Sequence, residues 1–310
     1  MKTLWTVLAA SALPLLVAGC DTDLIDHSVD AGVDVVADQD AGVDAGAGFD
    51  AGTDAGVDAG TDAGFDAGIG NIEVFVHGDL TAKTFTDGYA GQTPSAQVIG
   101  ISRLDLMTSS TDPAPVTAFD HGDSVAMVDM IQAASTLAGR ANSSGIPAGT
   151  YPYGRVLMTL ALVTVDATAH LGALNPPGKL TITSALSDTT VGGTAWVKGK
   201  TEYSFLANGA ATPQGFTGLA PPLPNGPGVS IVQEAHRTWL VFPFTAPFII
   251  NPADTSPQVA TIHYEVYKSF RWQDQTSAGY ATDVLDLNPI AMDAEPVKNF
   301  GATGYHTTSP

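Results

Sequence analysis

Residues 153–169 read YGRVLMTLALVTVDATA. Val156, Leu157, Met158, Leu160, Leu162, Val163 and Val165 put apolar side chains on both parities of this run. A run that is apolar on both sides and bounded by turn residues predicts a central strand covered on both faces. Its length predicts a bend partway along.

Working outward, residues 260–272 alternate instead. Ile262, Tyr264, Val266, Phe270 and Trp272 share one parity, and Thr261, His263, Glu265, Ser269 and Arg271 the other. That is the pattern of a strand with one buried and one wet face. At the front of the same region, Ile72, Val74 and Val76 alternate with Glu73 and His77. Val98–Met107 is a further strand, and Thr238–Phe244 another, ended by Pro247. Thr194–Phe205 predicts a hairpin turning at Lys198, Gly199 and Lys200. Val128–Gly139 is the one stretch that predicts a short helix. Turn clusters at 175–178 and 224–228 punctuate the chain, and residues 207–228 predict a long loop or a link between subdomains. Many short strands with such turns predict an all-β fold over residues 71–310: an antiparallel β-sandwich of transthyretin or immunoglobulin type.

The segment Ile146-Pro147-Ala148-Gly149-Thr150-Tyr151 carries a resemblance. With the strand near residue 98 and the apolar stretch Val125–Ile131 before it, and a long strand after it, this region resembles an uncharacterised bacterial lipoprotein domain with a transthyretin-like sandwich. The likeness covers roughly residues 96–205. It implies a tight turn feeding a central strand, and it implies no activity.

The N-terminus reads differently. Lys2 precedes an apolar run, Leu4–Ala18, interrupted only by Thr6, Ser11 and Pro14. A basic start, an apolar middle and small residues before a cut make a secretion signal, here residues 1–19. Val17-Ala18-Gly19-Cys20 resembles the lipobox of bacterial lipoproteins. That resemblance implies a diacylglycerol on the Cys20 thiol, cleavage before it, and an acyl chain such as palmitate on the new amine. Cys20 is the only cysteine in the chain, so no disulfide competes for it. Buried acyl chains hold a protein to a bilayer at roughly 0.8 kcal/mol per methylene. An aspartate follows, Asp21, a residue that in enteric bacteria favours retention at the inner membrane. The localisation expected is thus the cell envelope, lipid-anchored, with the outer membrane or cell surface favoured over the periplasmic face of the inner membrane.

Residues 20–70 form a tether. Asp50, Asp54, Asp58, Asp62 and Asp66 recur every four residues in Asp-Ala-Gly-x units, with Asp40 and Asp44 earlier. The segment 21–70 holds 13 aspartates and no lysine or arginine. Glycine raises the cost of ordering, alanine offers little to bury and the charges repel, so a disordered acidic linker is expected. The four-residue period lacks the Gly-rich nine-residue spacing of calcium repeats. The remaining 71–310 carries 19 acidic and 11 basic residues without a basic cluster, which argues against nucleic acid as a partner.

Chemistry is harder to find. There is no Gly-x-Ser-x-Gly elbow, no His-Glu-x-x-His and no phosphate loop. The tripeptide His-Gly-Asp occurs twice, at His77-Gly78-Asp79 and His121-Gly122-Asp123, with Asp120 before the second. Such donors can converge on a metal, or the Gly-Asp pairs can simply make turns. His236 and His263 add no ligand spacing. Glu202, Glu234 and Glu265 are the candidates for a glycosidase carboxylate pair. Trp196, Trp239, Trp272, Tyr203, Tyr264, Tyr267 and Tyr280 are the pool for a glycan platform, although aromatic residues in sandwiches usually pack inside. The expectation is a non-enzymatic protein without cofactor or metal. Its partners are the membrane through the anchor and a glycan or protein ligand.

The lipobox reading has a direct test. Cys20→Ala is expected to abolish incorporation of labelled palmitate and to move the protein from the membrane pellet to the soluble fraction.

Overall fold

A computed structural model describes residues 70–122, 124–216, 220–223, 226–276, 280–291 and 293–308. The signal peptide, Cys20, the tether to residue 69 and Asp123 lie outside the described residues.

In chain order the strands begin with β1 (Ile72–Asp79), β2 (Ala90–Gln92), β3 (Ala96–Met107), β4 (Val116–Asp120), β5 (Ala126–Asp129) and β6 (Thr136–Ala141). A single 3-10 turn, Ser143–Gly145, leads into β7 (Gly149–Ala169). Then come β8 (Pro177–Ala185), β9 (Thr189–Val191), β10 (Thr194–Trp196), β11 (Thr201–Ala207) and β12 (Gln214–Phe216). β13 (Ser230–Gln233), β14 (Thr238–Ile250), β15 (Gln258–Glu265) and β16 (Phe270–Trp272) follow. The short β17 (Asp286–Asn288), β18 (Asp293–Ala294), β19 (Val297–Asn299) and β20 (Tyr305–Thr308) finish the described chain.

The fold is all-β, as the sequence predicts. β7 is its central strand, 21 residues long. β3 runs antiparallel along one side of it, from Ala96↔Thr164 to Met107↔Tyr153. Its other side is shared: β14 pairs with it up to Met158, and β8 from Leu160 onward. Between them the buried parity switches. Gly154, Val156 and Met158 point inward before the switch, and Val163, Val165, Ala167 and Ala169 after it. The register against β3 shifts at the same place, the mark of a bulge. The expected bend is therefore present, but the strand is not covered on both faces throughout, because Leu157 and Leu162 are only half-buried. The apparent two-sided burial in the sequence is one-sided burial with a parity change.

The fork between β14 and β8 is sealed by side chains. Ser187 Oγ donates to the Met158 carbonyl at 2.6 Å and accepts from the Thr238 amide at 2.8 Å. Thr238 Oγ1 donates to the Leu186 carbonyl at 2.5 Å. Both residues are buried, so each of these bonds satisfies a group that water cannot reach.

β7, β3, β8, β11 and β14 lie in one large sheet. The second layer is a four-stranded sheet ordered β20-β15-β1-β6. Its inner face, including Ile72, Val74, Val76, Ala260, Ile262 and Tyr264, is buried in the same hydrophobic cluster as Ile99, Val163 and Val165. Tyr264 and Tyr305 meet Val98, Ile99, Ala161 and Val163 across the gap. Each such fully buried aliphatic side chain contributes about 1.5–3 kcal/mol. The layers thus make a sandwich that departs from a purely antiparallel plan at two places: the short β17 runs parallel to the end of β7, over Asp286↔Thr168 and Leu287↔Ala169, and the longer case lies in the second layer. β1 and β15 pair in parallel, from Ile72↔Gln258 to Asp79↔Glu265.

Four local expectations need correction. Residues 128–139 are not helical: β5 pairs with β3 and β6 with β1, with a turn between. Asp129 makes that turn, its Oδ1 accepting from the Ile131 amide at 3.0 Å. The Lys198-Gly199-Lys200 turn exists, with Gly199 at φ 87°, but it does not close a hairpin. β10 pairs back with β9 across Gly192 and Gly193, both at positive φ, while β11 pairs with β8 and β12. Pro247 does not end β14, which resumes its register at Phe248 after an irregular stretch. The 260–272 alternation breaks at Lys268, φ 45°, and its supposedly wet residues Ser269 and Arg271 are buried. Ser269 bonds Gln97 at 2.8 Å, and Arg271 lies over the Phe85 ring at 4.0 Å while pairing with Asp87.

Gly78 lies within β1, next to its last residue, not in a turn. A Cβ there would overlap the carbonyl of Met130. Gly78→Ala is expected to cost about 1–3 kcal/mol through overpacking, read as a lowered thermal midpoint with the β-rich circular dichroism spectrum retained.

Candidate functional site

The outer face of the four-stranded sheet carries the densest set of titratable side chains with a common geometry. Because Ile72, Val74 and Val76 face the core, Glu73, Phe75, His77 and Asp79 face outward. On β15 the outward set includes Thr261, His263 and Glu265, and on β20 it is His306 and Thr308.

Register then brings three imidazoles into one row. His77 stands opposite His263 across the parallel pair, and His263 opposite His306 across the antiparallel one. The His77 and His263 rings meet edge to face, 5.3 Å between centroids. The His263 and His306 rings stack at 4.4 Å, 6° from parallel. His77 Nδ1 is buried without a hydrogen-bond partner, whereas His306 is exposed. His263 Nε2 is 3.3 Å from Thr308 Oγ1.

A carboxylate pair forms the next rung, Asp79 opposite Glu265. Glu265 is ion-paired with Lys83. Asp79 Oδ1 accepts from the Thr81 amide at 2.8 Å. Hydrogen bonds from the Thr81 hydroxyl and amide hold the Asp79 carboxyl below the usual carboxylate range, with His306 and His263 adding to the effect. His263 is pushed below the usual imidazole range by burial first, then by His306 and His77 beside it; Asp79 opposes this.

The two His-Gly-Asp pieces do not converge. His121 stacks on Phe119 at 4.8 Å, and its Nε2 lies 2.8 Å from the Ala138 carbonyl. Burial lowers its pKa too. Gly122 sits at φ 59° in a turn, and Asp120 accepts from its amide at 2.9 Å, so the described part of the second copy, His121 and Gly122, belongs to a turn. The first copy is a strand. Among the described residues, no group of three or more His, Cys, Asp or Glu side chains is arranged to hold a metal ion. In the row itself, parallel rings set their in-plane lone pairs side by side instead of aiming them at one point.

The other candidates are scattered. Glu202 is ion-paired with Lys200 at 2.7 Å on β11, and Glu234 is exposed beyond β13. Neither shares a strand pair with Glu265. His236 is exposed and pairs with Asp188 at 2.7 Å. Of the aromatic pool, Trp239, Trp272, Tyr203 and Tyr264 are buried. Trp239 lies beneath Arg155, 4.0 Å from ring to guanidinium, and Arg155 is tied to the fully buried Asp105 at 2.8 Å. Trp196, Tyr267 and Tyr280 reach the surface only partly. Trp196 is covered by Lys200, and Tyr280 packs on His170.

Beside the row, β14 and β20 enclose an opening of about 160 Å³. Phe242, Phe244, Ile262 and Tyr305 give it an apolar wall, and His306 stands at it as well.

Proton NMR titration of the full chain checks the electrostatics. The His263 imidazole is expected to titrate below the ordinary value of about 6.5. His306→Gln should raise it only partway, since burial, the leading cause, remains. Thr81→Val should raise the Asp79 carboxyl toward its ordinary range.

Compared with models of known protein families, with curated proteins and with solved structures, the chain gives no match, so its functional reading rests on its own residues.

Proposed function

We propose that this chain is a lipid-anchored lipoprotein of the bacterial cell envelope, in which an acidic spacer presents a non-enzymatic β-sandwich that binds a partner. The observation that carries the reading is the order of parts. The lipobox Val17–Cys20 is followed by the Asp-Ala-Gly segment, and β1 opens the sandwich at Ile72, directly after it. A flexible chain of some fifty residues has a root-mean-square span on the order of 40 Å, and charge extends it. Such a span lets a tethered domain reach past the bilayer surface.

A binding role is supported over catalysis by where the polar groups go. Glu265, Glu202, Asp105 and Asp286 are each committed to a cation or a histidine. A protein ligand is favoured over a glycan, because most rings that would stack on sugars are in the core. The lipid anchor supplies the membrane contact, and the likeness to transthyretin-type lipoprotein domains agrees with this build. Asp21 favours a second reading: retention at the inner membrane and a structural or assembly role facing the periplasm.

Protease shaving of intact cells carrying a C-terminally tagged chain separates the two. Loss of the tag while a periplasmic control survives is the outcome expected of a surface binding module. Protection of the tag would sink that reading and leave the periplasmic role.

A further inference from the structure

We propose that His77, His263 and His306 form an acid-operated latch, which holds the last strand, β20, on β15 at neutral pH and releases it as the row takes up protons. The inference goes beyond the envelope-binding reading and does not depend on it.

β20 is held by one strand ladder and by its two inward side chains, Tyr305 and Thr307, which are buried. It is four residues long and pairs with β15 alone, over Tyr264↔Tyr305 to Thr261↔Thr308. Its other side touches β14 through Thr245 and Thr307, where the Thr245 amide donates to Thr307 Oγ1 at 3.0 Å. The only titratable side chain on its outer face is His306, and that ring is the one stacked on His263. The docking of this strand and the charge of the row are therefore one problem.

Neutral imidazoles stack without cost. A proton on one ring of the 4.4 Å pair opposes a proton on the other, and His77 extends the opposition to a third ring. The surroundings neutralise a charged row only in part, since His263 stays lowered although Asp79 opposes the shift. On β1, Asp79 is the nearest carboxylate, already bonded by Thr81, and Glu73 is paired with the β6 residue Arg140 at 2.8 Å. On β15, Glu265 is taken by Lys83, itself a cation. β14 contributes no charged residue at all.

The sign follows from linkage. A histidine whose pKa in the docked state lies below its free value adds stability that is complete above about pH 6.5 and is lost as the pH falls through the docked value. With β20 undocked, His263 loses part of its burial and the neighbouring His306 ring and binds its proton more readily, so acid favours undocking. Release uncovers the edge of β15 and the apolar wall of Phe242, Phe244 and Ile262, and carries Tyr305 away with the strand. The row thereby makes that exposure conditional on acidity.

Hydrogen exchange of the full chain, corrected for the intrinsic pH dependence of exchange, tests this at pH 7.5 and 5.0. Amide protection over residues 305–308 is expected to fall about tenfold or more in acid, the change carried by one unit of differential protonation, while β7 stays protected. In His263→Gln, protection of β20 should be the same at both pH values, and in His306→Gln the acid loss should shrink, since burial still lowers the His263 pKa. His306 is exposed, so its variant serves if His263→Gln fails to fold. Unchanged β20 protection in the wild type overturns the latch. So does an equal loss over β7, which marks global unfolding, or an equal loss in the glutamine variants, which assigns the titration to another group.

Discussion

The sandwich depends on the point at which β7 changes partners. Up to Met158 its free side belongs to β14, and from Leu160 to β8. A ladder cannot pass from one neighbour to the next without leaving donors and acceptors unpaired, and these lie inside the protein. Ser187 and Thr238 close the gap by bonding to backbone groups on both sides. Replacing either hydroxyl would strand a buried backbone partner, a cost of about 1–3 kcal/mol. The parity switch at the same place turns the second half of β7 so that Val163 and Val165 meet the other layer. One bulge thus serves hydrogen bonding and core packing together.

Much of this was legible in the sequence. The length and apolar density of residues 153–169 identify the central strand, and alternation identifies the inner faces of β1 and β15. What failed did so for definable reasons. Apolar residues on both parities look alike whether a strand is covered on both faces or bulged in the middle. Residues 128–139 have a mixture of spacings, and pairing with β3 and β1 outweighs local preference. Arg271 looks wet because a sequence does not reveal that Asp87 and Phe85 lie over it.

The site was legible only in part. His77 was noticed, but for the wrong company. Its twin at His121 belongs to a turn, and its real neighbours are His263 and His306, brought over by register across a parallel and an antiparallel pair. The outward parity of His263 on the alternating strand was the available signal. Nothing in spacing along the chain could supply the rest, because strand order is set by core burial far from the histidines. Gly78 was misread in the same way, as a turn former, when its lack of a side chain answers to the Met130 carbonyl.

The parallel pairing of β1 with β15 also bears on how the protein comes into being. β1 is the first strand of the sandwich to leave any machine that delivers the chain N-terminus first, yet its partner β15 arrives almost last. Contact order is high in such a topology, and folding correspondingly slow. Until β15 arrives, one edge of β1 is without its strand partner. That waiting edge is open to pairing with a neighbouring chain, and the late arrival of β15 sets how long the exposure lasts.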